Sequence, residues 1–153
     1  MSSENELKLE RTLDAPRDKV WQCWSDAKLL EQWFCPKPWY VTDVRLELKP
    51  GGEFSSVMHG PDGEEFANTG VVLEADPGRR FVFSDAFVPG WKPSGKPFMV
   101  AHVTLEDAGR GRTKYTAVAR HWTAEAKAEH EAMGFHEGWG KAADQLEALA
   151  RSL

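Results

Sequence analysis

The last thirty or so residues place the strongest constraint on what this chain can fold into. From Thr123 to Leu153 there is no proline, and Trp139, Ala142, Ala143, Leu146, Leu149, Ala150 and Leu153 recur at steps of three and four. That spacing predicts one amphipathic helix from Ala124 to about Ser152, about 40 Å long at roughly 1.5 Å per residue, with Trp139, Leu146 and Leu149 buried. Near its start the same segment carries Gly134, Gly138 and Gly140. Each interior glycine costs a helix about 0.5–1 kcal/mol relative to alanine. Three of them imply that something approaches that face closely. A helix that seals along one half and leaves space along the other is the wall of a pocket.

Upstream, the periodicity changes. Leu7 to Leu13 alternates apolar and polar residues, as a half-buried strand does. Pro16 suits a helix start, and Val20, Trp21 and Trp24 give one helical face. Ser25-Asp26 marks a break and a new N-cap, followed by a second short helix through Leu29, Leu30, Trp33 and Phe34 that ends before Pro36. From Trp39 to Trp122 the pattern is strands and turns. Turns are expected at Lys49-Pro50-Gly51-Gly52, Pro61-Asp62-Gly63, Asp76-Pro77-Gly78 and Gly109-Arg110-Gly111. Between them lie strands over Val44–Leu48, Phe54–Met58, Thr69–Ala75, Arg80–Phe87, Phe98–Leu105 and Thr113–Arg120, with a breaker-rich loop from Pro89 to Pro97. Consecutive strands joined by short turns imply an antiparallel sheet. Residues 1–153 read as a single domain, without internal repeat or linker.

Acidic residues number 24 against 19 Lys and Arg, a net charge of −5, which argues against nucleic acid or an anionic membrane as a partner. No apolar run approaches the roughly 18 residues that span a bilayer. The start, Met1 to Glu6, is polar and acidic, unlike an export signal, so a cytoplasmic location is expected. Cys23 and Cys35 have no metal or redox spacing and read as free thiols. Cys23 is expected in the core and Cys35 partly exposed.

The residues resemble a known family. Ala15-Pro16, Val20-Trp21, Trp24, Asp26, Leu29, Trp33 and Pro36 look like the opening of the homologues of the activator of the 90-kDa heat-shock protein ATPase, in the START-like (SRPBCC) superfamily. Pro50-Gly51-Gly52-Glu53-Phe54, Pro61-Asp62-Gly63, Gly70, Pro77, Thr113 and the Gly138-Trp139, Leu146, Leu149 ending continue the match in order. The resemblance implies an α+β helix-grip fold. In it, a curved antiparallel sheet of six or seven strands wraps on a long C-terminal helix, two short helices follow the first strand, and a cavity lies between sheet and helix. It implies no catalytic residue set, because the family's roles range from small-molecule binding to cyclase- or hydrolase-like catalysis and chaperone association, as in stress responses.

His130-Glu131 and His136-Glu137 each begin like a zinc-binding helix motif, but the fourth residue onward is Gly134 or Gly140, so no metal and no cofactor is expected. No catalytic constellation is identifiable, and the protein reads as a binder rather than an enzyme. The aromatic residues carry more. Trp33, Phe34, Trp91, Phe98, Trp122, Phe135 and Trp139 flank the places where short helices, loop and terminal helix meet; Phe54 is expected to border the same cavity, and Trp91 stands in the breaker-rich loop as a candidate lid. Asp85, His102, Arg120 and His121 lie on or beside strands. By alternation Arg120 and His121 face opposite ways: an inward His121 would orient a ligand or serve as acid or base, an inward Arg120 would bind a carboxylate. The expected ligand-binding set is therefore Trp33, Phe54, Trp91, Phe98, His121, Phe135 and Trp139. The function read from it is binding of a small hydrophobic organic ligand. The alternatives are a protein-interaction module that regulates a chaperone ATPase, and an enzyme using the same cavity. The chain is expected to be a monomer or homodimer.

Overall fold

Strand β1 (Glu6–Leu13) is followed by two short helices, α1 (Arg17–Ser25) and α2 (Ala27–Trp33). The computed structural model describes residues 5–95 and 97–153. The first four residues of the polar start, and Lys96 of the breaker-rich loop, lie outside them. Next come β2 (Tyr40–Leu46), β3 (Glu53–His59), β4 (Glu65–Asp76), β5 (Arg80–Ser84), a small β6–β7 hairpin (Phe87–Val88 and Lys92–Pro93), β8 (Met99–Gly109) and β9 (Arg112–His121). Two helices close the chain, α3 (Ala124–Ala132) and α4 (Phe135–Arg151). Seven strands form one antiparallel sheet in the order β1-β9-β8-β5-β4-β3-β2. The sheet curves, and register shifts at Thr42/Arg45, Val72/Glu74 and Asp107/Gly109 mark the irregularities that bend such ladders. The architecture is the helix-grip α+β fold.

Local chemistry accounts for the helices at the start. Pro16 precedes α1 in extended conformation, and Val20, Cys23 and Trp24 bury one face of it. Asp26 caps α2: its carboxylate accepts from the backbone N–H of Lys28 at 2.9 Å and of Leu29 at 3.3 Å. The Trp33 indole N–H then donates to the Cys23 carbonyl at 3.0 Å and ties the two helices together. The four expected turns are all present, and the Pro61-Asp62-Gly63 hairpin closes with Gly60 N–H donating to the Glu64 carbonyl. Strands run longer than their alternation suggested at β4, β8 and β9, while the strand expected to reach Phe87 stops at Ser84.

The terminal segment differs from its expected single helix. Met133 caps α3, and Gly134 takes φ +94°, a left-handed conformation that glycine adopts without strain, so the chain turns before α4 begins. The apolar stripe belongs to α4 alone. Its second half seals the molecule: Ala142, Ala143, Leu146 and Ala150 are buried in one core cluster with Val20, Cys23 and Trp24 of α1, Leu13, Val103, Leu105 and Ala117. Trp139 and Leu149, expected to be buried, are half-buried, because the stripe's edges meet the cavity and the rim. The three glycines have three separate reasons. Gly134 makes the turn, Gly138 has room for a Cβ that would touch only Pro36, at 4.0 Å, and Gly140 passes so close to Arg11 that a Cβ would lie 2.7 Å from its guanidinium. Arg11 is held there by Asp144.

A cavity between sheet and terminal helices

Where the first half of α4 diverges from the sheet, a cavity of about 460 Å³ remains. Its floor is sheet: Leu9, Phe54, Ser56, Phe83 and Tyr115. One wall is α1, α2 and the turn after them, with Trp24, Trp33, Phe34, Cys35 and Pro36. The other is the α3–α4 junction, with His130, Met133, Gly134, Phe135, Gly138 and Trp139. Phe98 and Met99 close one end. They are positioned by Asp85, whose carboxylate accepts from the backbone N–H of Phe98 at 2.8 Å and of Met99 at 3.2 Å. The aromatic rings pack mostly edge to face, as between Trp24 and Trp33 at 4.8 Å and between Phe34 and Phe54 at 5.7 Å.

Five of the seven residues expected to meet the ligand border this cavity: Trp33, Phe54, Phe98, Phe135 and Trp139. Trp91 does not. It is half exposed, packs on Phe87 at 5.5 Å and lies against Gly51, where even a Cβ would come within 2.8 Å of its ring. The β6–β7 hairpin carries it onto the β2–β3 turn, and it is not part of the cavity lining. His121 does not border the cavity either. It is buried one layer behind, with its ring against His130 and Phe98. Arg120 points the other way, into an ion pair with Glu6 and toward His102 at 3.4 Å. Burial, and then Arg120 and Arg80, hold the His102 ring below its ordinary pKa. Alternation therefore resolves with His121 inward and Arg120 outward.

His130, weighed in the sequence only as a metal ligand, lines the cavity. It is 8% exposed and faces Phe98, Phe135 and Trp139 at 4.9, 5.2 and 5.8 Å. Burial, and then the neighbouring His121, push its pKa down to about 4, so it is neutral at pH 7. His136, by contrast, is exposed and bonds Glu131 at 3.1 Å. The two histidines of the zinc-like pattern thus point apart. The sequence signal for His130 is the Thr123 cap, whose hydroxyl accepts from Ala126 N–H and starts α3 just after His121, folding the helix back over the end of β9.

Chemically the cavity is apolar and short of charge. Among the described residues that line it, Asp85 is the single acidic side chain, and none is Lys or Arg. Cys35 is buried rather than partly exposed, because the turn after α2 is drawn under α4. Burial pushes its thiol up to about 11, and burial with the nearby Asp26 does the same for Cys23, so neither is a thiolate at neutral pH. Burial likewise raises the Tyr115 phenol, which stays protonated beside Trp24. The Trp24 indole N–H is the one buried side-chain polar atom without a hydrogen-bond partner among the described residues.

Comparison with known proteins adds to this geometry. Residues 14–151 match the family model described as "Activator of Hsp90 ATPase homolog 1-like protein". A crystal structure of a protein from Nitrosomonas europaea is 41% identical, with a TM-score of 0.95, over 99% of this chain and 97% of that one. One from Mycobacterium smegmatis is 30% identical, with a TM-score of 0.80, over 96% and 91%. A solution structure from Arthrobacter aurescens is 25% identical, with a TM-score of 0.84, over 99% and 88%. Among curated proteins, none matches the chain. No helix of the described residues is long and apolar enough to cross a membrane.

Proposed function

The chain belongs to the family of activator of Hsp90 ATPase homolog 1-like proteins, and on that footing we propose that it binds a small hydrophobic organic molecule in the cavity between sheet and terminal helices. The observation that carries this reading is the cavity itself. Its 460 Å³ falls within the roughly 300–1,000 Å³ of small-molecule sites, and its walls are aromatic and aliphatic with few polar groups. A core of this size would ordinarily pack solid, since voids cost stability. Trp33, Phe54, Phe98, Phe135 and Trp139 are the contact residues in this reading. His121 serves from behind by supporting His130.

The test is direct. Native mass spectrometry of the purified protein should show a bound small molecule, and an added apolar fluorescent probe should quench tryptophan emission with saturable, one-to-one binding. Phe135→Ala and Trp33→Ala should weaken the probe, whereas Trp91→Ala should not. Absence of saturable binding by every apolar probe tried would remove the reading.

A second reading, docking onto a protein partner such as a chaperone ATPase, draws on one observation. Trp39 and Phe66 stack at 6.2 Å, and Phe66 is half exposed beside the β3–β4 hairpin. Large exposed aromatics of this kind suit a partner surface. Here Phe66→Ser should abolish stimulation of a chaperone ATPase and leave probe binding intact. No stimulation by the unmodified protein would end this second reading.

A further inference from the structure

The backbone carbonyl of Asn5 fixes the hydrogen-bonding character of an atom in the cavity wall, two side chains away. It accepts from the His121 backbone N–H at 2.8 Å and meets His121 Nδ1 at 3.0 Å. A carbonyl oxygen cannot donate, so Nδ1 of His121 carries the proton. In the neutral ring Nε2 of His121 is then an acceptor. Its 2.9 Å contact is with Nδ1 of His130, which must donate. A neutral His130 protonated at Nδ1 has a bare lone pair at Nε2. That ring lines the cavity, its Nδ1 edge is turned to His121, and no hydrogen-bond partner among the described residues meets Nε2.

The surroundings decide what this lone pair can receive. Phe98, Phe135 and Trp139 pack around the ring and bring no charge. The titratable groups nearby are His121 behind it, Tyr115 on β9, and Asp85 after β5, whose Oδ1 is already engaged by the N–H groups of Phe98 and Met99. A carboxylate ligand would meet a lone pair and an aspartate, with no Lys or Arg on the lining to balance it. A ketone or ether would offer only another acceptor. A hydroxyl offers the proton that Nε2 lacks.

We propose that the ligand is an uncharged hydrophobic molecule bearing a hydroxyl group, a phenol or an alcohol, whose O–H donates to Nε2 of His130; this rests on the ligand-binding reading above. The aromatic walls supply affinity and the histidine relay supplies selection for the hydroxyl. His121 and the Asn5 carbonyl act at one remove, by holding His130 in the tautomer that can accept.

The experiment compares three probes of similar size near pH 7: para-propylphenol, para-propylanisole and para-propylbenzoate, titrated into the intact protein by calorimetry. The phenol should bind on the order of tenfold more tightly than the anisole, which has the same oxygen without its hydrogen. The benzoate should be weakest. In His130→Phe the phenol and anisole should bind about equally. Should that variant not fold, nitrogen-15 spectra of the wild-type imidazoles carry the same test, because His130 Nε2 should shift with phenol and stay put with anisole. Equal binding of phenol and anisole by the wild type, or tightest binding of the benzoate, would overturn the hydroxyl inference while leaving the ligand-binding reading standing. If none of the three binds, both fall.

Discussion

The side-chain amide of Gln145 donates to the backbone carbonyl of Trp33 at 3.0 Å. The same nitrogen reaches the Cys35 carbonyl at 2.7 Å, and the amide oxygen accepts from Lys37 N–H at 2.9 Å. One glutamine on α4 thus satisfies three backbone groups of the turn leaving α2, and the partners dictate which way its amide lies. Gln145→Ala should cost about 1–3 kcal/mol in denaturant unfolding, since two carbonyls and an N–H lose their partner. Gln145→Glu should cost more than Gln145→Ala at neutral pH, because it sets a carboxylate against both carbonyls. A glutamate variant as stable as wild type would show that the clamp does not hold the turn.

The three glycines near the start of α4 should respond differently to the same substitution. Gly134→Ala forces a side chain into φ +94° and should lose roughly 1–2 kcal/mol. Gly138→Ala meets only Pro36, at 4.0 Å, and should gain about 0.5–1 kcal/mol of helix propensity. Gly140→Ala must displace the end of Arg11 from Asp144, and its propensity gain should nearly cancel. Thermal melts of the three variants should rank 138 above 140 above 134. Any other order would contradict the separate reasons assigned to them.

Acid should weaken the fold through His130. Unfolded, the imidazole titrates near its ordinary 6.5; folded, near 4. Between those values the unfolded chain holds the extra proton, so stability rises with pH and is lost as pH falls from about 6.5 toward 4. The loss from this group should be on the order of 1–3 kcal/mol. His102, also held low, contributes in the same direction. The groups facing His130 are His121 on β9, with Asp85 and Tyr115 across the cavity, so the wild type must be compared with His130→Phe. Unfolding free energies at pH 7.5 and pH 5 should differ by less in the variant. An unchanged difference would mean that His130 is not held neutral.

Leu146 and Leu149 sit on one helix and should differ sharply. Leu146 is 0% exposed within the main core cluster, whereas Leu149 is half-buried at its edge. Leu146→Ala should cost about 2–5 kcal/mol and Leu149→Ala less than half of that. Equal losses in chemical denaturation would place the buried face of α4 elsewhere.

Much of the fold could be read in the chain because its signals are local. The Asp26 cap, the Pro61-Asp62-Gly63 hairpin and the stripe from Trp139 to Ala150 each depend on neighbours within a few residues, and each reappears in place. What failed to show depends on distant partners. Nothing near Gly134 distinguishes it from Gly138 or Gly140; only the return of α4 along the sheet demands its left-handed turn. Cys35 looked exposed because its cover, Gln145, lies 110 residues away. Trp91 looked like a lid because a loop rich in Pro and Gly gives no hint that a hairpin will lay its ring on Gly51. His130 read only as a failed metal motif because its character comes from His121 and, through it, from the carbonyl of Asn5.

The joint at Gly134 has a consequence in time. Of the residues of α3, His130 alone is buried, while α4 is pinned by Leu146, Ala143 and Ala150. Segments with so few buried contacts open at a fraction of the free energy of global unfolding. Backbone amides of α3 should therefore trade hydrogen for deuterium well before those of α4, without the sheet loosening. On the ligand-binding reading, how long a guest stays is governed by the short helix that carries His130. How long the fold itself lasts is governed by the long helix behind it.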